Sequence, residues 1–300
     1  MAMATHATLV EVGPRDGFQN VKAPIATEDK LAIIRQLIKA GVRQMEITSF
    51  VNPKWIPQMA DATEVVETIL KEAPEDFRAI ALVPNARGAE NAIAAGLKNL
   101  TYVVSASESH NKHNVNRPID QSLEEIGTVV AAHPDIHFRI SISVVFGCPY
   151  EGEVPVSQVL RIIDKLYSYG IREIVLCDTV GVANPKQVKE VVAAVLDAHP
   201  DLDLGLHFHD TRGMGIANVL AGLECGITVF ETCLGGLGGC PFAPGSAGNT
   251  SSEDMLGMWN AMGIENGIDL DEFLKAVEIV KEKVDAPVTG RLANICAESA

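Results

Sequence analysis

His207 and His209 stand two residues apart at the end of an apolar run that begins at Leu204. In an extended strand such a pair shares one face, with Phe208 turned to the other, so the imidazoles form a two-ligand metal frame. A pair of structural histidines fits the same spacing, and an oxygen ligand from elsewhere in the chain would separate the two readings. Asp16, next to Arg15 just past the first apolar run, is the candidate for that oxygen. Asp178 closes another run and Glu46 lies inside a further one. Imidazoles and a carboxylate grouped in this way suit the binding of a metal ion.

The segment from Leu234 to Asn249 carries Gly235, Gly236, Gly238, Gly239, Gly245 and Gly248, with Cys240 before Pro241. A floppy connection is one reading; a lid over a catalytic face, holding one thiol, is the other. The segment is not a nucleotide phosphate loop, since no Lys-Ser/Thr follows it into a helix.

Strand-like runs recur with helix-like ones between them. The runs are 8–12, 45–48, 79–83, 100–105, 137–145, 173–177, 204–209 and 229–233. Between and after them, helical periodicity covers 31–40, 61–71, 86–95, 121–132, 156–169, 185–199, 215–225 and 252–262, with Thr27 as an N-cap and Gly170 and Gly226 at C-cap positions. Eight such units predict an α/β chain folded as a single (β/α)8 TIM barrel over residues 1–300, with 269–284 as an additional C-terminal helix. An open doubly wound sheet is the competing arrangement. In the barrel, Arg15, Asp16, Asp178, His207 and His209 all fall at C-terminal strand ends, where the chemistry of such folds sits.

Composition narrows the partners. With 39 acidic against 24 basic residues the formal charge is −15, which repels phosphate backbones and anionic headgroups, so neither nucleic acid nor a membrane is expected. No apolar run approaches a bilayer span and the first residues lack a basic segment followed by an apolar one; a cytoplasmic location is expected. Six scattered cysteines without C-x-x-C spacing read as reduced thiols rather than a zinc site or a disulfide framework.

The segments Val10-Glu-Val-Gly-Pro-Arg-Asp-Gly-Phe-Gln-Asn20, Glu46-Ile-Thr-Ser-Phe-Val-Asn-Pro-Lys-Trp-Ile-Pro-Gln-Met-Ala-Asp61, Gly147-Cys-Pro-Tyr-Glu-Gly152, Asp178-Thr-Val-Gly181, His207-Phe-His-Asp-Thr211 and Gly235-Gly-Leu-Gly-Gly-Cys-Pro-Phe242 together resemble the 3-hydroxy-3-methylglutaryl-CoA lyases, metal-dependent barrels related to 2-isopropylmalate synthase. The resemblance runs from about residue 8 to 265. It implies a carbon-carbon lyase that cleaves 3-hydroxy-3-methylglutaryl-CoA to acetoacetate and acetyl-CoA, as in leucine degradation and ketone-body metabolism. It also implies a homodimer. Asp16, His207, His209 and Asn249 would hold a divalent cation. The mixed N/O set favours Mg²⁺ or Mn²⁺, with Co²⁺ or Zn²⁺ compatible by ligand type. Arg15 would stabilise the enolate oxygen, Glu46 and Asp178 would orient substrate and protonated groups, His207 would donate a proton and Cys240 would relay one. Gln19, Ser49, Asn111, Arg212 and Glu253 are the expected substrate contacts.

Departures from the lyase pattern concern the substrate. Phe18, Val21 and Asn52 replace residues usual there, and Arg212 stands where a tyrosine is usual. Arg212 either holds a different carboxylate, as in citramalyl-CoA, or is neutralised by a neighbouring acid. The stretch 105–117 is expected to be an exposed polar loop rather than a His110-x-x-His113 ligand pair, with Asn111, Lys112, Asn114 and Arg117 near the CoA phosphates. A Claisen-type acyl-CoA synthase would run the same enolate chemistry in the joining direction, but the chain lacks a long C-terminal regulatory region. An inert barrel would be expected to lose a ligand, and all four candidates are present.

Overall fold

Eight parallel strands close on themselves in the computed structural model, which describes residues 3–239 and 248–297, with side chains to residue 295. They are β1 (Thr8–Glu11), β2 (Gln44–Ser49), β3 (Arg78–Val83), β4 (Asn99–Ser105), β5 (His137–Ser143), β6 (Glu173–Asp178), β7 (Asp203–Phe208) and β8 (Val229–Thr232). Each pairs with the next in sequence, and β8 returns to β1 with Thr8 opposite Val229. That closure excludes the open sheet: the fold is a TIM barrel. The strands are buried along nearly their whole length, which is why they read as continuous apolar runs rather than alternating ones.

The helices are α1 (Thr27–Lys39), α2 (Ala62–Glu72), α3 (Ala86–Ala94), α4 (Glu108–Val115), α5 (Ile119–Ala132), α6 (Val156–Ser168), α7 (Pro185–Ala198), α8 (Gly215–Glu224), α9 (Ser252–Met262), α10 (Leu270–Lys283) and α11 (Arg291–Ala297). α6 shows how they attach. Val159, Ile162, Ile163 and Leu166 repeat at helical spacing and are the residues buried against the barrel. Gly170, with φ of 87°, then turns the chain into β6.

Two expectations need correction, and a further helix lies beyond those expected. Thr27 is the first helical residue of α1, after the extended Ala26, and its hydroxyl donates to Asp61 Oδ2 at 3.0 Å rather than capping. The 105–117 stretch contains α4, capped by the Ser107 hydroxyl, which accepts from His110 N at 3.2 Å. Beyond the expected helix, α10, lies α11: the Asp254 carboxylate on α9 accepts from Arg291 N and Leu292 N at 2.9 and 2.7 Å, a cap supplied from 37 residues away.

Candidate metal centre and active site

The chain leaves β1 through a single π-helical turn, Gly13–Gly17, which turns Arg15 and Asp16 into the barrel mouth. The turn sits hard against the β8 loop. A Cβ on Gly13 would lie 1.9 Å from a Leu234 methyl, so only glycine fits. Glu11, in the middle of an apolar strand, binds the two together: its carboxylate accepts from Gly13 N at 2.7 Å, Leu234 N at 2.9 Å and the Ser252 hydroxyl at 2.6 Å.

Opposite, His207 and His209 project from the end of β7 with ring centroids 5.2 Å apart, while Phe208 faces outward onto Phe146. One ligand atom each from Asp16, His207 and His209 falls within 4.8 Å of the others. Asn249 completes the group. It sits on a segment that pairs back along the end of β7, through Asp210 N to Gly248 O and Thr250 N to Phe208 O. Its amide nitrogen donates to Asp16 Oδ2 at 2.7 Å and Leu237 O at 3.0 Å, whereas the buried Oδ1 has no hydrogen-bond partner among the described residues. Gly238, at φ of 99°, permits this approach, since a Cβ there would lie 2.7 Å from the Asn249 amide nitrogen.

A carboxylate and two imidazoles meeting at one point, with an unsatisfied amide oxygen on the side chain that bonds Asp16, form a donor set that fits a divalent cation. The protonation states agree. Burial, then the charge of His207, push His209 down to about 4, leaving it neutral at physiological pH. Burial opposes the ionisation of Asp16, but Arg15 and both histidines outweigh it and hold the carboxyl well below its usual range. For His207, burial again favours the neutral form, and the hydrogen bond and charge of Glu231 raise its pKa overall. Its Nδ1 lies 2.9 Å from Glu231 Oε2, so only Nε2 is left for the mouth. Nε2 is therefore the His207 nitrogen that could serve as a metal ligand.

Arg15 donates to Glu46 Oε2 from Nε at 2.7 Å and to Asp16 Oδ1 from Nη1 at 2.5 Å, which leaves further N–H groups on the guanidinium. Glu46 is fully buried, and it therefore orients Arg15 directly. Gln19 donates to Asp16 Oδ1 at 2.8 Å. Ser49, at the end of β2, has a buried hydroxyl with no partner among the described residues. Asp178 accepts from Val182 N and Ala183 N at 2.9 and 3.0 Å; burial raises its carboxyl to about 6 against those bonds. Arg212 is exposed in the turn after β7 and makes no ion pair among the described residues. Its charge favours ionisation of Asp178 against burial, so a neighbouring acid lies within its electrostatic reach.

Two expected substrate contacts sit elsewhere. Asn111 on α4 is fully buried: its amide nitrogen donates to Arg117 O and the Ser122 hydroxyl, and its oxygen accepts from Ser105 N, which leaves the side chain in the framework of the loop. Glu253 lies beneath the root of the glycine segment, with Oε2 accepting from Gly235 N at 2.9 Å and burial raising it to about 7. Cys240 lies outside the described residues. Sequence reasoning missed Glu11, Glu231 and Arg139; the available signal was a charge inside an otherwise apolar strand.

Comparison with known proteins agrees with this architecture. The HMGL-like family profile matches residues 6–280. The chain is 46% identical to the hydroxymethylglutaryl-CoA lyase YngG of Bacillus subtilis over 97% of its own length and 98% of that protein's. It is 39% identical to the cytoplasmic 3-hydroxy-3-methylglutaryl-CoA lyase of Mus musculus over 96% of this chain and 84% of that one. Among solved structures, the Bacillus subtilis HMG-CoA lyase superposes with a TM-score of 0.95 at 44% identity, covering 99% of this chain and 100% of that one. The Acinetobacter baumannii HMG-CoA lyase, solved with coenzyme A and 3-methylmalate, superposes with a TM-score of 0.92 at 38% identity, covering 98% and 96%. The chain belongs to the HMGL-like family.

Proposed function

We propose that the protein is a divalent-cation-dependent lyase that cleaves 3-hydroxy-3-methylglutaryl-CoA to acetoacetate and acetyl-CoA. The observation that carries this reading is the meeting of Asp16, His207, His209 and the free Asn249 Oδ1 beside Arg15 at the barrel mouth. These four residues would hold Mg²⁺ or Mn²⁺, and a bound cation would lower the pKa of the substrate's tertiary hydroxyl and polarise its oxygens.

Cleavage removes the hydroxyl proton, breaks the C2–C3 bond and moves its electron pair onto the thioester as an enolate, which then takes a proton at carbon 2. Arg15, clamped by Glu46, presents its spare N–H groups to the oxygen where that charge develops, in a site where burial strengthens the interaction. Gln19 holds Asp16 in place as a ligand. The unpartnered Ser49 hydroxyl binds a polar group of the acyl chain, and Arg212 at the rim meets its carboxylate. Asp178 orders the loop after β6 beneath the substrate. Cys240 relays the proton that carbon 2 takes, the role that the resemblance implies. The protein acts as a homodimer in the cytoplasm. In the described residues, no helix is long and apolar enough to cross a membrane.

The test is release of acetyl-CoA from a panel of 3-hydroxyacyl-CoA thioesters, including the methylglutaryl and citramalyl compounds. The chain is assayed after exhaustive chelation and after readdition of Mg²⁺ or Mn²⁺. Cleavage of the methylglutaryl thioester only with metal present is expected. Full turnover in protein shown to be free of metal, or a preference for the citramalyl thioester, would overturn the reading. Light scattering at assay concentration checks the dimer.

A further inference from the structure

His207 is not held by the mouth alone. Behind it, Glu231 on β8 pairs with it across the sheet, residue for residue, and its carboxylate is nearly inaccessible at 2% exposed. Glu231 Oε2 lies 2.9 Å from His207 Nδ1, and Oε1 lies 2.6 Å from an Nη2 of Arg139. Arg139 belongs to β5, on the far side of the barrel from β8, so its side chain spans the interior with none of its surface exposed. Its Nε lies 3.1 Å from Glu173 Oε1 on the neighbouring strand. Glu173 Oε2 in turn meets Arg78 Nη2 at 2.7 Å and His137 Nε2 at 2.6 Å near the opposite end. A single file of alternating charges thus runs through the barrel from the metal centre to its floor.

We propose that Glu231, held by Arg139, is a positioning residue for the metal centre: it fixes His207 in the tautomer and orientation that turn the Nε2 lone pair to the cation. The inference rests on the site reading above. An ionised carboxylate only accepts hydrogen bonds, so an Nδ1 within bonding distance of one carries the proton, and Nε2 is then the unprotonated nitrogen. The charge of Arg139 faces the other oxygen at 2.6 Å as an ion pair without a hydrogen bond, which favours the ionised carboxylate beside the ring. His209 has no such support: its Nδ1 has no partner among the described residues. The two histidines therefore differ in how firmly they are set before metal arrives. Groups that orient metal-bound imidazoles in this way typically change metal affinity by 10–100-fold.

The test is Glu231→Gln, whose amide NH₂ can donate to Nδ1 and so favour the tautomer with Nε2 protonated. Arg139→Gln/Glu231→Gln is measured beside it, because that pair leaves no buried arginine without its acid. Binding of Mn²⁺ alone is read from the free-ion spin-resonance signal, with circular dichroism and thermal unfolding on the same samples. A rise in the Mn²⁺ Kd of about 10–100-fold is expected in both variants while the fold is kept. A Kd within two-fold of wild type in either folded variant overturns the proposal, since a purely structural ion pair would lower the unfolding temperature and leave the Kd alone. Weakened Mn²⁺ binding in a chain that cleaves no thioester supports this inference and overturns the lyase reading. Unchanged binding in an active lyase does the reverse.

Discussion

The two ends of the barrel carry similar residue types and opposite bonding. At the floor, a cavity of about 430 Å³ is lined by Arg78, Arg139 and Glu173. There Glu173 is saturated, with Arg78 and Arg139 on Oε1 and Arg78 and His137 on Oε2. At the mouth, Asn249 Oδ1, Glu46 Oε1, Ser49 Oγ and His209 Nδ1 are buried without partners among the described residues. Around Arg139, Nε, Nη1, Nη2 and Glu231 Oε1 also lack a hydrogen bond among the described residues, but Nε and Nη2 face opposite charges, 3.1 Å from Glu173 Oε1 and 2.6 Å from Glu231 Oε1. Open volume therefore does not mark the chemistry here. A cluster of buried polar atoms with neither a hydrogen bond nor an opposite charge against them marks it better, because a fold tolerates such a cluster only where something else completes it.

If this contrast is sound, removing groups at the mouth should cost function, and removing groups at the floor should cost stability. The largest effect is expected for His209→Ala, which should raise the Mn²⁺ Kd by more than about 100-fold, beyond what an orienting group is worth; titration calorimetry checks it. His207→Ala should lower turnover as well as binding. Arg15→Ala should cut kcat by about 10²- to 10³-fold with a smaller change in KM, in steady-state kinetics on the methylglutaryl thioester. A loss of only a few-fold would place the developing charge elsewhere.

Arg78→Ala makes the matching floor experiment. It should leave kcat within about two-fold but cost about 1–3 kcal/mol in urea unfolding, because it strips charged hydrogen bonds from Glu173. Acid provides a gentler probe of the same group. Burial opposes ionisation of Glu173, yet the bond from His137 and the charges of Arg139 and Arg78 bring it down from 4.5 to about 2. A folded pKa below the unfolded one contributes stability above pH 4.5 that fades as pH falls toward 2, so Glu173→Gln should flatten the acid limb of stability in that window. The smallest effect is expected at the rim: Arg212→Tyr should change the ratio of kcat/KM for methylglutaryl and citramalyl thioesters by several-fold, at most about 100-fold. An unchanged ratio would remove Arg212 from substrate choice.

Much of this was legible in the chain itself. Strand period, helix ends and the positions of Arg15-Asp16 and His207-Phe208-His209 follow from local pattern, because each is set by residues close in sequence. What local pattern could not show depends on distant partners. Glu231 and Arg139 meet only because β5 and β8 face each other across the closed barrel. The pairing of β2 with β3 slips between Glu46 and Thr48, a bulge that breaks the simple alternation of faces just before Ser49. Asn111 has the chemistry of a surface polar residue, yet Ser105, Arg117 and Ser122 enclose it.

The bond between Asn249 and Asp16 joins residues 233 positions apart, across the seam where β8 meets β1. No nascent chain can assemble the cation site until its last strand has been made and the cylinder has closed, so occupancy reports completion of folding. A bound ion would then be a clasp as well as a reagent. If it binds the closed form alone, free metal at 100 times its Kd would add about 2.7 kcal/mol against reopening of that seam. Chelation should accordingly speed hydrogen exchange first in β1 and β8, with the strands opposite them following later.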